Sequence, residues 1–137
     1  MSLVLDNSAT MAWAFPDETT PEIEALFTSV ERNGAWVPAL WQYEVANVLQ
    51  MDDQRGRYSI AFRDGTLADL AVLPIDVEKT HPGTVWGSTV QLAQRHALTI
   101  YDACYLELAL CRNLPLATLD TDLRAAATRE GISLFGL

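Results

Sequence analysis

The sequence predicts an α/β protein built on a mainly parallel sheet of about five strands. Three observations predict it. Strand-like and helix-like segments alternate from end to end. The strand-like segments are short and continuously apolar, without in–out alternation, as expected where helices cover both faces. The chain has 137 residues, half of them hydrophobic and 20% charged, which suits one folded domain. Residues 1–137 are therefore read as a single domain, long enough to bury about two-thirds of its unfolded surface without disulfides or structural zinc.

The elements follow in order. Ser2 to Leu5 reads as a strand that ends at the turn or helix-start cluster Asp6-Asn7-Ser8. A short apolar helix from Ala9 to Phe15 stops at Pro16. Thr20 caps a second helix, with Pro21 at its first position and acids in its first turn; it ends near Asn33-Gly34. Ala35 to Val37 is a strand. Ala39 to Gln54 is a long helix, closing in Arg55-Gly56-Arg57. Ser59 to Ala71 is a helix that Asp64-Gly65 could break. Val72 to Val77 is a strand, Thr84 to His96 a helix, and Ile100 to Arg112 a buried helix. Leu116 to Leu119 is a strand, Thr121 to Glu130 a helix, and Ile132 to Phe135 a last strand.

Nine basic residues against 18 acidic ones give a net charge of −9, which argues against nucleic-acid binding by bulk electrostatics. It leaves room for a nuclease whose acidic site is neutralised by metal ions. Eight of the nine cations are arginine, the residue suited to bidentate phosphate contacts. Arg55, Arg57 and Arg63 cluster after the long helix as candidate substrate contacts, unless they only line a solvated turn. No apolar run reaches the roughly 18 residues of a membrane span, and no basic, apolar leader opens the chain. Cys104 and Cys111, seven apart on a helix, lie about 10 Å apart along its axis, too far for a disulfide. They are expected to be small buried hydrophobes in a cytoplasmic protein. His81 and His96 read as surface or helix-end residues. Trp13, Trp36, Trp41 and Trp86 read as core rather than as base-stacking platforms.

Four acids stand out because each lies in an apolar setting. Asp6 ends the first strand and Asp120 the Leu116–Leu119 strand, so both fall at the carboxyl edge, where parallel sheets bind ligands. Glu44 falls between Val48 and Met51 on the apolar face of its helix, near Trp41, where an unpaired charge is costly. Asp102 opens the Ile100–Arg112 helix. Each has a plainer role available: Asp6 and Asp120 as helix caps, Asp102 in a capping box with Thr99, Glu44 at the rim of its face. Together they come from three helix starts and one helix face that could converge at one edge. Converging carboxylates repel and must bind cations or protons. Without convincing His or Cys ligands, the expected ion is hard: Mg²⁺ or Mn²⁺. Phosphodiester hydrolysis by a metal-activated water fits this set. Asp122 favours the helix dipole in any reading, and the Thr118 hydroxyl could orient a carboxylate or water.

The segments LVLDNSAT at 3–10, WQYEVANVL at 41–49, LTIYDACYLELAL at 98–110 and LATLDTDLRAAATREGISLF at 116–135 resemble PIN-domain ribonucleases, specifically the VapC-type toxins of toxin–antitoxin pairs. The resemblance implies a three-layer α/β/α sandwich around the parallel sheet. It places the acidic site at Asp6, Glu44, Asp102 and Asp120, with Asp122 as a variable fifth acid and Ser8 and Thr118 as small hydroxyl residues beside the first and fourth. It further implies an Mg²⁺- or Mn²⁺-dependent endoribonuclease acting on tRNA or ribosomal RNA. A cognate antitoxin as inhibitor and a homodimer are also implied. An acidic groove would attract a basic antitoxin peptide, with Trp13, Phe15 and Trp41 as candidates to line an apolar groove beside the Glu44 helix, unless they are core.

Other classes fit less well. A haloacid-dehalogenase-type phosphatase needs D-x-D, and Ser8 stands at the third position. A receiver-like domain needs a lysine after a late strand, and the lone lysine is Lys79. Phosphate-cradling glycine motifs and the G-x-S-x-G elbow are absent. An inert PIN-like binding module, or a PIN nuclease of RNA maturation or of DNA, remains as the alternative.

Overall fold

A computed structural model describes residues 1–54, 56 and 58–137, with the backbone alone for Asp53 and Gln54. Its sheet has four strands: β1 (Val4–Leu5), β2 (Ala35–Pro38), β3 (Ile75–Glu78) and β4 (Leu116–Ala117). Their order is β3-β2-β1-β4 and every pairing is parallel. Val4 stands opposite both Trp36 and Leu116, so the first strand of the chain is internal. The fifth segment, Ile132–Phe135, contributes one parallel bridge between Leu116 and Leu134, flanked by backbone bonds from Leu116 to Ser133 and from Phe135 back to Leu116.

The helices are α1 (Asn7–Ala14), α2 (Pro21–Asn33), α3 (Leu40–Gln54), α4 (Ile60–Ala71), α5 (Pro82–Thr84), α6 (Val90–His96), α7 (Ile100–Arg112) and α8 (Thr121–Arg129). Local chemistry sets their starts. Thr20 and Ser59 each accept the backbone N–H of the third residue of the helix they cap, α2 and α4. With Ser59 as cap, α4 runs unbroken through Asp64-Gly65. A π-helical stretch, Val85–Thr89, joins α5 to α6 and leaves Trp86 81% exposed, so the expectation that all four tryptophans are core fails there. Gly34, at φ +77°, turns α2 into β2; a Cβ there would meet the Pro74 carbonyl oxygen at 3.1 Å.

The core gathers β1, β2 and β4 with the inner faces of the helices: Leu3, Leu5, Ile23, Leu26, Val37, Leu106, Leu116 and Leu123 are fully buried. Helix α7 packs across β1, β2 and β4. Because every strand runs the same way, each connection leaves a strand at the carboxyl edge and enters the next at the amino edge. Helices α1, α3 and α8 follow their strands directly and so start at the carboxyl edge, and α7, which leads into the amino end of β4, has its start on the same side.

Several side chains depart from expectation. On α3 the buried positions are Trp41, Val45, Leu49 and Asp52, while Met51 is exposed. The face thus lies one residue over from the predicted one, and Glu44 and Val48 sit half-buried at its rim. Cys111 is exposed and Cys104 half-buried, because α7 covers the sheet with Tyr105, Leu106, Leu108 and Ala109 instead; both thiols are free. His96 does end α6, but its side chain is buried, bonded to Glu130 at 2.9 Å. Phe15 and Trp41 are core, and Trp13 stacks on Phe27 at 4.6 Å. Among the described residues no helix is long and apolar enough to cross a membrane.

Candidate active site

Asp6 leaves the end of β1 and caps α1. Its Oδ1 accepts the Asn7 N–H at 2.8 Å. Its Oδ2 accepts two hydroxyls, from Thr118 at 2.6 Å and Ser8 at 2.7 Å. Each hydroxyl in turn accepts a backbone N–H from the β4–α8 turn: Asp120 to Thr118 and Leu119 to Ser8, both at 3.0 Å. The β1–α1 and β4–α8 junctions are thus stitched together around one carboxylate. Burial pushes the Asp6 carboxyl above its ordinary range; the three donors pull it back in part, and the charge of Asp120 adds to the rise.

Glu44 is one turn into α3. Burial raises its carboxyl too, opposed by a hydrogen bond from Tyr105, with the charges of Asp6 and Asp102 adding to the rise. The Tyr105 hydroxyl donates to Glu44 Oε1 at 2.5 Å. Asp102 sits in the first turn of α7, behind the cap Thr99, whose hydroxyl accepts the Asp102 N–H at 3.1 Å. Its carboxyl is raised by burial and then by the charges of Asp120, Asp6 and Asp122, while a bond to Thr99 opposes the rise. Asp120 caps α8, accepting the Leu123 N–H at 2.8 Å. Asp6 and Asp120 therefore do cap their helices, while the charge of Asp120 adds to the rise of the Asp6 carboxyl; the two readings coexist.

The structure brings Asp6, Glu44, Asp102 and Asp120 into one electrostatic cluster, with Asp122 exposed at its margin. Among the described residues, no three His, Cys, Asp or Glu side chains form a ready-made cage for an ion. The set fits a hard divalent ion by donor chemistry: oxygen donors only, held near one another against repulsion. Its openness suits an ion that keeps part of its water shell, as Mg²⁺ does. Arg63 is not brought to the cluster: its guanidinium bonds Asp64 at 2.9 Å and Gln50 at 2.5 Å. Arg55 and Arg57 lie outside the described residues. Arg124, which sequence reasoning does not single out, bonds the Thr118 carbonyl at 2.9 Å beside the cluster. Tyr105 escapes it too; its only sequence signal is a polar tip in an otherwise apolar helix stretch.

The chain matches the PIN domain over residues 3–129. It belongs to the PIN-domain family. Members of that family are generally nucleases, and those nucleases generally use divalent metal ions. Among solved structures, the fold is similar to that of PAE2754 from Pyrobaculum aerophilum, at 24% identity and a TM-score of 0.71, covering 92% of this chain and 84% of that one. It is also similar to FitAcB from Neisseria gonorrhoeae, at 16% identity and a TM-score of 0.68, covering 99% of this chain and 97% of that one. Both likenesses concern the fold. No curated protein matches the chain. In this PIN domain the acidic cluster stands at the carboxyl edge of the parallel strands, where sheets of this kind bind ligands.

Proposed function

We propose that this PIN domain is an Mg²⁺- or Mn²⁺-dependent endoribonuclease of the VapC toxin type, formed by the whole chain as one domain. The observation that carries the reading is the convergence of Asp6, Glu44, Asp102 and Asp120 at one edge of the sheet, where burial and neighbouring charge raise the carboxyls of Asp6, Glu44 and Asp102 and a divalent ion would offset both. The RNA specificity rests on the resemblance carried by YDACYLELA at 101–109 and LATLDTDL at 116–123.

Asp6 and Asp102 would be the main ion ligands, with Glu44 and Asp120 completing the shell directly or through water, and Asp122 placing a second ion. When bound, such an ion activates water as the nucleophile and offsets charge on the phosphodiester. Ser8 and Thr118 hold the Asp6 carboxylate in one orientation, so less of it must be ordered on binding. Arg55, Arg57 and Arg63 would contact substrate phosphates away from the cluster, Arg63 by giving up its bonds to Gln50 and Asp64.

A basic antitoxin peptide is the inhibitor that an acidic cluster and a net charge of −9 favour. A homodimer is supported by the exposed side chains of Trp86, Val90, Ile100 and Tyr101. Free thiols at Cys104 and Cys111 fit a reducing, cytoplasmic setting.

The test is induced expression of the wild type and of Asp6→Asn in a host cell, with total RNA run on a gel. Growth arrest and discrete fragments from the wild type alone are expected. Intact RNA in both, with folded protein confirmed, overturns the reading in favour of an inert binding module.

A further inference from the structure

Tyr105 lies one turn beyond Asp102 on α7 and is fully buried. Its ring belongs to the hydrophobic core, where a phenylalanine would serve; what tyrosine adds is the hydroxyl. That hydroxyl donates to Glu44 Oε1. One oxygen atom on α7 therefore ties that helix to α3, the element that carries Glu44. Among the described residues, Tyr105 is the one side chain found bonded to the Glu44 carboxylate.

A carboxylate with both oxygens open binds an ion through one oxygen or through two. Two-oxygen binding suits Ca²⁺, which tolerates irregular shells of six to eight ligands. Mg²⁺ and Mn²⁺ sites favour octahedral oxygen shells, and Mg²⁺ demands near-ideal geometry, which one-oxygen ligands meet. We propose that Tyr105 is a positioning residue that occupies one oxygen of Glu44, leaves the other as a single-oxygen ligand, and so selects small octahedral ions over Ca²⁺. This rests on the metal-dependent reading of the cluster and adds to it the group that decides which ion is taken.

The experiment is calorimetric Mn²⁺ binding to the full chain, with Ca²⁺ as competitor, for the wild type and Tyr105→Phe. Loss of the hydroxyl is expected to weaken Mn²⁺ binding about tenfold, as removal of a hydrogen bond to a metal ligand does. Ca²⁺ should at the same time compete several-fold better. A purely structural tyrosine would lower the melting temperature and leave the Mn²⁺/Ca²⁺ ratio unchanged, and that result overturns the proposal alone. A wild type that binds no Mn²⁺ overturns both the proposal and the metal-dependent reading. Should Tyr105→Phe not fold, carboxylate infrared bands of the Mg²⁺-loaded wild type against Glu44→Gln decide. A one-oxygen signature at Glu44 supports the proposal, and a two-oxygen signature overturns it.

Discussion

The hydroxyls of Ser8 and Thr118 lie 3.3 Å apart, and both donate to the same carboxylate oxygen of Asp6. They are 110 residues apart in the chain. Their meeting makes Asp6 a joint between the first and last strands of the sheet as well as a candidate ligand. Thr118→Val keeps the shape of the buried side chain but strands the Asp120 N–H and removes a donor from Asp6. The expected cost is about 1–3 kcal/mol, the range for leaving buried partners unsatisfied. Thermal unfolding of the two proteins measures it, and an unchanged melting temperature would refute the joint.

Asp120 offers a way to separate capping from charge. Asparagine caps a helix as well as aspartate does, whereas alanine costs about 1 kcal/mol. Asp120→Asn should therefore hold the wild-type melting temperature while cutting RNA cleavage at least tenfold. Asp120→Ala should lose both. Wild-type cleavage by Asp120→Asn would reduce this acid to a cap.

Asp6, Glu44 and Asp102 all have carboxyls raised above their ordinary range in the fold. From about pH 4 up to those raised values the folded state binds more protons than the unfolded chain, so stability falls as pH rises through that window. In metal-free buffer the wild type should lose melting temperature as pH rises above the ordinary carboxylate range, and Asp6→Asn should lose less. Glu130 works the other way, held below its usual range by His96 and Arg95, but it is common to both proteins and cancels in the comparison. Added Mg²⁺ should raise the wild-type melting temperature at neutral pH and do little near pH 4. Parallel pH profiles for the two proteins would contradict the cluster.

Trp86 tests the dimer. An exposed tryptophan on a π-helical turn, with Val90, Ile100 and Tyr101 also exposed, is expected to lie in a contact between copies. Sedimentation should give twice the chain mass for the wild type and the chain mass for Trp86→Arg, with unchanged circular dichroism. A monomeric wild type, or a dimeric Trp86→Arg, rules that contact out.

Much of this was legible in the sequence because local chemistry decided it. Thr20, Pro21 and Gly34 bound α2 as read, and the strands expected at Ser2–Leu5 and Leu116–Leu119 appear, each two residues shorter, as β1 and β4. The acids could be singled out because each breaks an apolar run. What escaped depended on tertiary neighbours. The buried face of α3 is set by what packs on it, so Asp52 goes inside and Met51 outside against the wheel. The segment Ile132–Phe135 pairs at a single bridge rather than along a strand. Tyr105 gave no warning, since its role depends on Glu44, 61 residues away. Arg63 turns to Gln50 and Asp64 and not to the acidic cluster, which no spacing rule foretells.

The internal position of β1 has a consequence for synthesis. Asp6 and β1 are made well ahead of β4 and of Thr118, which stands 112 residues further along the chain and donates to Asp6. Closing contacts across that separation is slow and must await both partners. Until then Asp6 lacks the Thr118 hydroxyl, and Asp120 is missing from the cluster. Under the proposed nuclease reading, the acidic centre therefore assembles only after the β4–α8 junction has been made and has docked on β1.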